Sequence, residues 1–376
     1  MGNSQIRILF TIPNFVTAGS GGTLFDILEK LDRQKFKPYV CIKKAGGKYE
    51  TKLKELGITI LIAPFTTSPR PYYKFIFKAW KISLFFKQYN FDIWHSFNYL
   101  DDYTEPIIAR LAGVKNWIYT KTNMNWYQNS WYLRSLLATR IITINHDMEK
   151  LFFNTPKRKR KSVYIPVGID TEKFSPATPS QFNLREKYKI PQNHQIILSV
   201  GHIVPIKGHL HLIKAIALHE NTSLFIAGRQ TPSPYLLEIK KLINNLKLQS
   251  RVFLLGEIGN IHELLPEIDL FVMPSITKGE GLGIALLEAM SCKKACIASN
   301  VPGCRDIIKN KINGILVQPE NPKALSKAII QLSLDIPLQK QLGLEAKKTI
   351  ESNFSIVEEV ANHVTLYESI MNPHAK

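Results

Sequence analysis

The chain has little cysteine, no long apolar run and, over its first half, few acids. Four cysteines among 376 residues (Cys41, Cys292, Cys296 and Cys304) form no C-x-x-C pair and have no nearby histidine at ligand spacing. They read as small buried side chains in a reducing compartment, which sets a zinc site aside. No segment reaches the roughly 18 apolar residues that a membrane span requires. Ile6 to Ile12 is too short for a signal peptide and ends in Pro13 without a cleavage pattern. Gly2 lacks the Ser or Thr that N-myristoylation wants at position 6, where Ile6 stands. The expected location is cytoplasmic. Low-complexity segments, short-period repeats, the dinucleotide fingerprint G-x-G-x-x-G and the P-loop pattern are absent too.

Negative charge is short in one half only. Residues 1–190 carry 30 Lys and Arg against 14 Asp and Glu, and residues 191–376 carry 19 against 16. The net charge of +19 thus belongs almost wholly to the first half, which points to an acidic partner there: phosphate, nucleic acid or an anionic membrane. No nucleic-acid recognition pattern accompanies the charge, so nucleic acid is the least favoured partner.

A hydrophobic content of 45% and a charged content of 21% describe a globular protein, long enough for two domains with separate cores. Short apolar runs bounded by turn residues alternate with segments of helical length. Six strands are expected in the first half, at 6–12, 39–42, 58–62, 93–97, 117–120 and 141–144. Six more are expected at 195–200, 223–227, 252–255, 270–273, 295–298 and 314–317. The alternation predicts an α/β fold of two Rossmann-like doubly wound domains facing across a cleft, with ligands at the carboxyl ends of the strands. The expected bounds are a first domain at 1–170, a linker at 171–190, a second domain at 191–352 and a closing helix at 353–376.

The most informative stretch runs from Pro274 to Met290 and holds Glu280 and Glu288. Its glycines, Gly281 and Gly283, let a hydroxylated or anionic ligand approach the start of a helix. At 3.6 residues per turn, eight positions place both carboxylates on roughly one side, at two depths. In the same domain, Gly201-His202 to Lys207-Gly208 follows a strand and leads into a helix, so Lys207 either meets a diphosphate or is a solvated lysine. In the first domain, Gly19 to Thr23 reads as a phosphate-cradling loop or as a plain turn. His95 ends the fourth strand and either faces the cleft, donating a hydrogen bond or a proton, or is packed. Thr120 to Trp126, with Thr122 and Asn123, reads as cleft lining or as an ordinary loop. Arg70 to Phe91 holds five Lys and Arg and many aromatics but no acid, which suits an anionic membrane surface. The run Lys157 to Lys161 reads as a solvated basic loop.

Gly279-Glu280 to Glu288-Ala289-Met290 resembles the E-x7-E signature of the family 4 glycosyltransferases, retaining enzymes of the GT-B fold. Pro302-Gly303, Asn313 to Val317, Ile165 to Asp170, Phe354-Ser355 and Gly21-Gly22 fall at family-like places, so the resemblance covers nearly the whole chain. It implies a UDP- or GDP-sugar donor and a glycan or glycolipid acceptor in surface polysaccharide or glycolipid synthesis, with the enzyme on the inner face of the membrane. It implies that Glu280 holds donor-sugar hydroxyls, supported by the backbone of Gly281, Leu282 and Gly283, and that Glu288 accepts from the ribose. Lys207 would neutralise the diphosphate without a metal or other cofactor, and Gly22 would approach the same phosphates. The leaving phosphate would assist deprotonation of the acceptor, with no protein nucleophile.

The chain departs from the family at His202, where Arg is usual, at Thr122, where His is common, and at Val167, where Asn is frequent. Histidine lacks the fixed charge and fork of Arg. Arg229 is one candidate helper, and His95 either covers the role of the missing His or does not. Rival readings are a GT-B epimerase or phosphorylase, and a non-catalytic nucleotide-sugar binder.

Overall fold

The computed structural model describes residues 5–16, 18–125, 129–276 and 280–372. Its contacts divide the chain into two units, 1–168 with 356–376, and 169–355. The first unit has seven parallel strands: β1 (Ile6–Ile12), β2 (Phe36–Ile42), β3 (Thr59–Ile62), β4 (Ile93–Ser96), β5 (Asn116–Lys121), β6 (Arg140–Thr143) and β7 (Ser162–Tyr164). They lie in the order β3-β2-β1-β4-β5-β6-β7. The second has β8 (Gln195–Val200), β9 (Thr222–Ala227), β10 (Val252–Gly256), β11 (Leu270–Met273), β12 (Ala295–Ser299) and β13 (Ile315–Val317), ordered β10-β9-β8-β11-β12-β13. Both sheets are parallel and doubly wound, as the alternating pattern predicts. Strand order reverses between β1 and β4 in one unit and between β8 and β11 in the other. Those reversals open the crevices where such sheets bind ligands.

Helices cover both faces, which is why β4 and β11 are buried throughout and why β11 reads as an unbroken apolar run. In the first unit, Leu24, Ile27 and Leu28 of the helix Ala18–Lys30 pack one face together with Ile356, Tyr367 and Ile370 of the helix Ile356–Met371. Phe75, Ala79 and Phe86 pack the opposite face with Trp94 and Trp117. In the second unit, Ile197, Leu224, Leu270 and Ile297 supply the middle of a core closed by Leu212, Ile239 and Leu325. Among the described residues no helix is long and apolar enough to cross a membrane.

Several expectations change. Residues 171–190, read as a linker, belong to the second unit: Phe174, Leu184 and Ile190 are buried, and Leu184–Lys187 forms a helical turn. Gly21 and Gly22 lie inside the helix Ala18–Lys30, not in a loop before it. Strand β7 was not expected; it is a three-residue, half-buried edge strand directly after the basic run. Within that run, the Lys161 ammonium donates to the carbonyls of Leu136 and Ala138 at 2.6 Å, and Arg158 lies over the rings of Trp131 and Tyr132. Lys161 therefore closes the C-terminal end of the helix Ser130–Leu137, and Arg158 packs on its first turn. The four cysteines are free and buried; burial pushes the thiols of Cys41 and Cys292 up to about 12.

Candidate functional site

The second unit builds its site at the carboxyl ends of β8 and β11. After β8 the chain turns through Gly201 and a short helical turn, Pro205–Lys207, before the helix His209–Ile216. A Cβ at Gly201 would press on the Lys207 stem at 3.2–3.4 Å, so the missing side chain gives the lysine its path. After β11, Ser275 is buried, and Ile276 N–H donates to the Ile206 carbonyl at 3.0 Å, stitching the two loops together. Lys207 and Glu280 meet there. The ammonium lies 2.8 Å from both carboxylate oxygens of Glu280, and the Ser275 hydroxyl donates to one of them at 2.5 Å. Lys207 and Glu280 are a quarter and an eighth exposed, so the pair is largely desolvated yet still open to a ligand. The sequence placed Lys207 and Glu280 on one sheet edge; the structure brings them into contact.

Glu280 is held by a third loop. Its N–H donates to the Pro302 carbonyl at 3.1 Å. A Cβ on Gly303, whose φ is 80°, would stand 3.0 Å from the carbonyls of Glu280 and Gly281. The Pro-Gly pair at 302–303 is therefore part of the site.

The helical relation between the two glutamates needs correcting. The helix runs Ile284–Ser291, with left-handed Gly283 as its N-cap, so Glu280 stands in the preceding loop. Periodicity does not link the pair; Glu288 lies one turn into the helix, half-buried. Gly281 is half-buried, and Leu282 and Gly283 are buried. A Cβ on Gly283 would press on the Met273 sulfur at 3.2 Å. Thr277, Lys278 and Gly279 of this motif, and Trp126 of the first unit's polar run, lie outside the described residues.

His202 is exposed beside this pair. Burial of part of its ring, then the charges of Arg229 and Lys207, hold its imidazole below the ordinary value, so it is neutral at neutral pH. Arg229 follows β9 and pairs with Glu257 at 3.1 Å. The Ile203 N–H donates to the Arg229 carbonyl, which ties the two loops together. Lys207, Arg229 and neutral His202 thus share one corner, in which each permanent cation is paired to a carboxylate.

In the first unit the placement differs from expectation. His95 is fully buried rather than facing a ligand. Its Nδ1 lies 2.8 Å from the Tyr367 hydroxyl and its Nε2 lies 2.8 Å from the Thr120 hydroxyl. Burial, then His363, holds it well below the ordinary histidine value. Alternation along β4 could not reveal this, because both faces of that strand are covered. His95 fastens the helix Ile356–Met371 to the sheet. His95→Leu should destabilise the protein by about 1–3 kcal/mol in urea titrations, because it strands the buried Thr120 hydroxyl and leaves the Tyr367 hydroxyl only the His363 ring, 3.5 Å away; an unchanged midpoint would count against that role.

Gly21 and Gly22 are packing positions: a Cβ would meet Phe15 at 3.2 Å or the Tyr49 hydroxyl at 3.1 Å. Thr122 and Asn123 line a small surface hollow with Asn98, Tyr99 and Lys121. Lys121 was not singled out from the sequence. It is buried at the end of β5, donates to the Asn123 carbonyl at 2.7 Å and lies over the Phe152 ring. Desolvation, then Arg134, lowers its pKa to about 7. The hollow's wall rests on Arg134, whose guanidinium donates to the carbonyls of Asn98, Leu100 and Asp102. Glu105, fully buried beneath it, accepts from Thr11, Trp94 and Ser96. Burial nevertheless holds its carboxyl above the ordinary range.

Two family models match this chain: Glycosyl transferases group 1 over residues 180–349 and Glycosyltransferase Family 4 over residues 17–173. An uncharacterised glycosyltransferase of Methanocaldococcus jannaschii is 27% identical over 64% of this chain and 62% of its own length. The chain thus spans less than two thirds of that relative. The Escherichia coli UDP-Gal:alpha-D-GlcNAc-diphosphoundecaprenol alpha-1,3-galactosyltransferase is 28% identical over 75% of this chain and 76% of its own. The Anabaena protein HepE, crystallised in complex with UDP and glucose, shares the fold with a TM-score of 0.82. That match covers 97% of this chain and 100% of the other at 19% identity.

Proposed function

Because this chain belongs to the family 4 glycosyltransferases, we propose that it moves a sugar from a nucleotide diphosphate sugar to a lipid-linked or membrane-proximal glycan, with retention at the transferred carbon. The contact between Lys207 and Glu280 at the strand-order reversal carries this reading. Glu280 is an acceptor-only group suited to sugar hydroxyls, and Lys207 is the charge suited to a departing diphosphate. Arg229 shares that charge, and neutral His202 supplies a hydrogen bond where it meets the phosphates. Glu288 takes the ribose, with the backbone of Gly281, Leu282 and Gly283 beside it. On the acceptor side, Thr122 and Asn123 present the hollow that Lys121 organises. No metal or organic cofactor is invoked, because the two cations supply the stabilising charge. The UDP and glucose bound by the Anabaena protein, and the UDP-Gal donor and diphosphoundecaprenol-linked acceptor in the name of the E. coli relative, support the substrate classes. A protein acting on such an acceptor would work at the inner face of the cytoplasmic membrane.

Thermal shifts with UDP, GDP and their sugars test the donor. At a hundredfold excess over Kd the correct nucleotide stabilises by about 2.7 kcal/mol, and Lys207→Met should remove most of that gain. No shift with any nucleotide would end the donor assignment. An inverted anomeric signal in the product, read by NMR, would end the retaining one.

A further inference from the structure

We propose that the outer side of the helix Tyr72–Lys87 seats this protein on an anionic lipid bilayer. At about 100° per residue the helix divides into three arcs. Phe75, Ala79, Ser83 and Phe86 are buried against the first unit's sheet. Tyr73, Ile76, Phe77, Trp80 and Leu84 form a second arc and are 80%, 57%, 64%, 46% and 45% exposed. Lys74, Lys78 and Lys81 form the third. A helix needs one apolar arc to hold its domain, and this one carries two. The second is rich in aromatics, where a solvated helix would place charge.

Charge complementarity selects the occupant. The helix contains four lysines and no acid, in the half of the chain where basic residues outnumber acidic ones by 30 to 14. Lys74 lies 5.4 Å from the Tyr73 ring centroid, and the rings of Phe77 and Trp80 are 5.9 Å apart. A shallow apolar layer edged by lysines matches the boundary between acyl chains and anionic headgroups. A second copy of this chain would instead set lysine against lysine. Sixteen residues are also too short and too charged to span a bilayer, so the helix lies in the plane of the surface. This surface extends the reading of a lipid-borne acceptor without depending on it.

Cosedimentation of the full chain with vesicles tests the proposal, comparing phosphatidylcholine alone with phosphatidylcholine containing phosphatidylglycerol. Binding is expected only to the anionic vesicles and should weaken with salt. Phe77→Ser with Trp80→Ser should weaken it by about tenfold or more, and each of Lys74→Gln and Lys81→Gln by about fivefold. All four positions are exposed, so circular dichroism and the nucleotide thermal shift should stay unchanged, which separates this proposal from the donor site. No binding to anionic vesicles, or binding indifferent to these substitutions, overturns it. So does a dimer in sedimentation velocity that the paired serine variant dissolves while vesicle binding stays absent; that outcome makes the occupant a second copy.

Discussion

Glu280→Gln is expected to lower sugar transfer by about 10²–10³-fold while the second unit stays folded. Gln keeps the shape and one carbonyl acceptor, so the Ser275 hydroxyl retains a partner. What disappears is the full negative charge that holds the Lys207 ammonium at 2.8 Å from both oxygens. An amide nitrogen turned toward that ammonium repels it, so the lysine swings away and the loops after β8 and β11 lose their shared anchor. The stability loss should be modest, about 1–2 kcal/mol, because both side chains keep some access to water. On the roles proposed for Glu280 and Lys207, the catalytic loss is larger, because the sugar hydroxyls would lose a charged acceptor and the diphosphate would meet a misplaced cation. Steady-state kinetics with saturating donor, paired with a thermal melt, separate the two. Full activity in the variant removes Glu280 from the sugar-holding role. A collapsed melt would mark the pair as mainly structural; Glu280→Asp, which keeps the charge on a shorter arm, should then recover the fold.

Much of this site was legible in the sequence, for a reason that also marks its limits. Parallel strands covered on both faces appear as apolar runs, so β1, β8 and β11 were found to the residue. Once strand and helix alternate, chain order places the loops after β8 and β11 at one sheet edge, and Lys207 and Glu280 follow. The same burial hid His95, since a strand with no wet face gives no alternation from which to read direction. Short edge strand β7 carries only three residues and borders a basic run, so no period exists to detect. Lys121 and Arg134 were missed because charged side chains are normally read as solvated. Their burial depends on partners distant in sequence: Phe152 for the lysine, and Ser96 with Glu105 for the arginine. Eight positions do not span two helical turns here, because Gly283 starts the helix after Glu280 rather than before it.

Gly208→Ala should be among the most damaging single-methyl additions in the second unit. Gly208 closes the helical turn that carries Lys207 and begins the helix His209–Ile216, at φ 67° and ψ 18°. An alanine in this left-handed region costs about 1–2 kcal/mol before any contact is considered. The contact is worse. Its Cβ would stand 1.9 Å from the Pro274 carbonyl oxygen, a backbone atom with no rotamer to retreat into. Either the loop after β11 withdraws, breaking the hydrogen bond from Ile276 N–H to the Ile206 carbonyl, or the turn unwinds and carries Lys207 off Glu280. A loss of about 4 kcal/mol or more is expected. For a unit of this size that lowers Tm by about 10 °C. Gly256→Ala is the control, in the same unit and with φ 77°, where the added Cβ meets only the end of the Gln230 side chain at 3.9 Å. It should show the left-handed penalty alone, near 1–2 kcal/mol. Scanning calorimetry of the two variants isolates the clash, and the nucleotide thermal shift should vanish only in Gly208→Ala. Equal melting points would mean that the loop after β11 yields without resistance, and the close seam between the Lys207 turn and the Glu280 loop would then not be what aligns the pair.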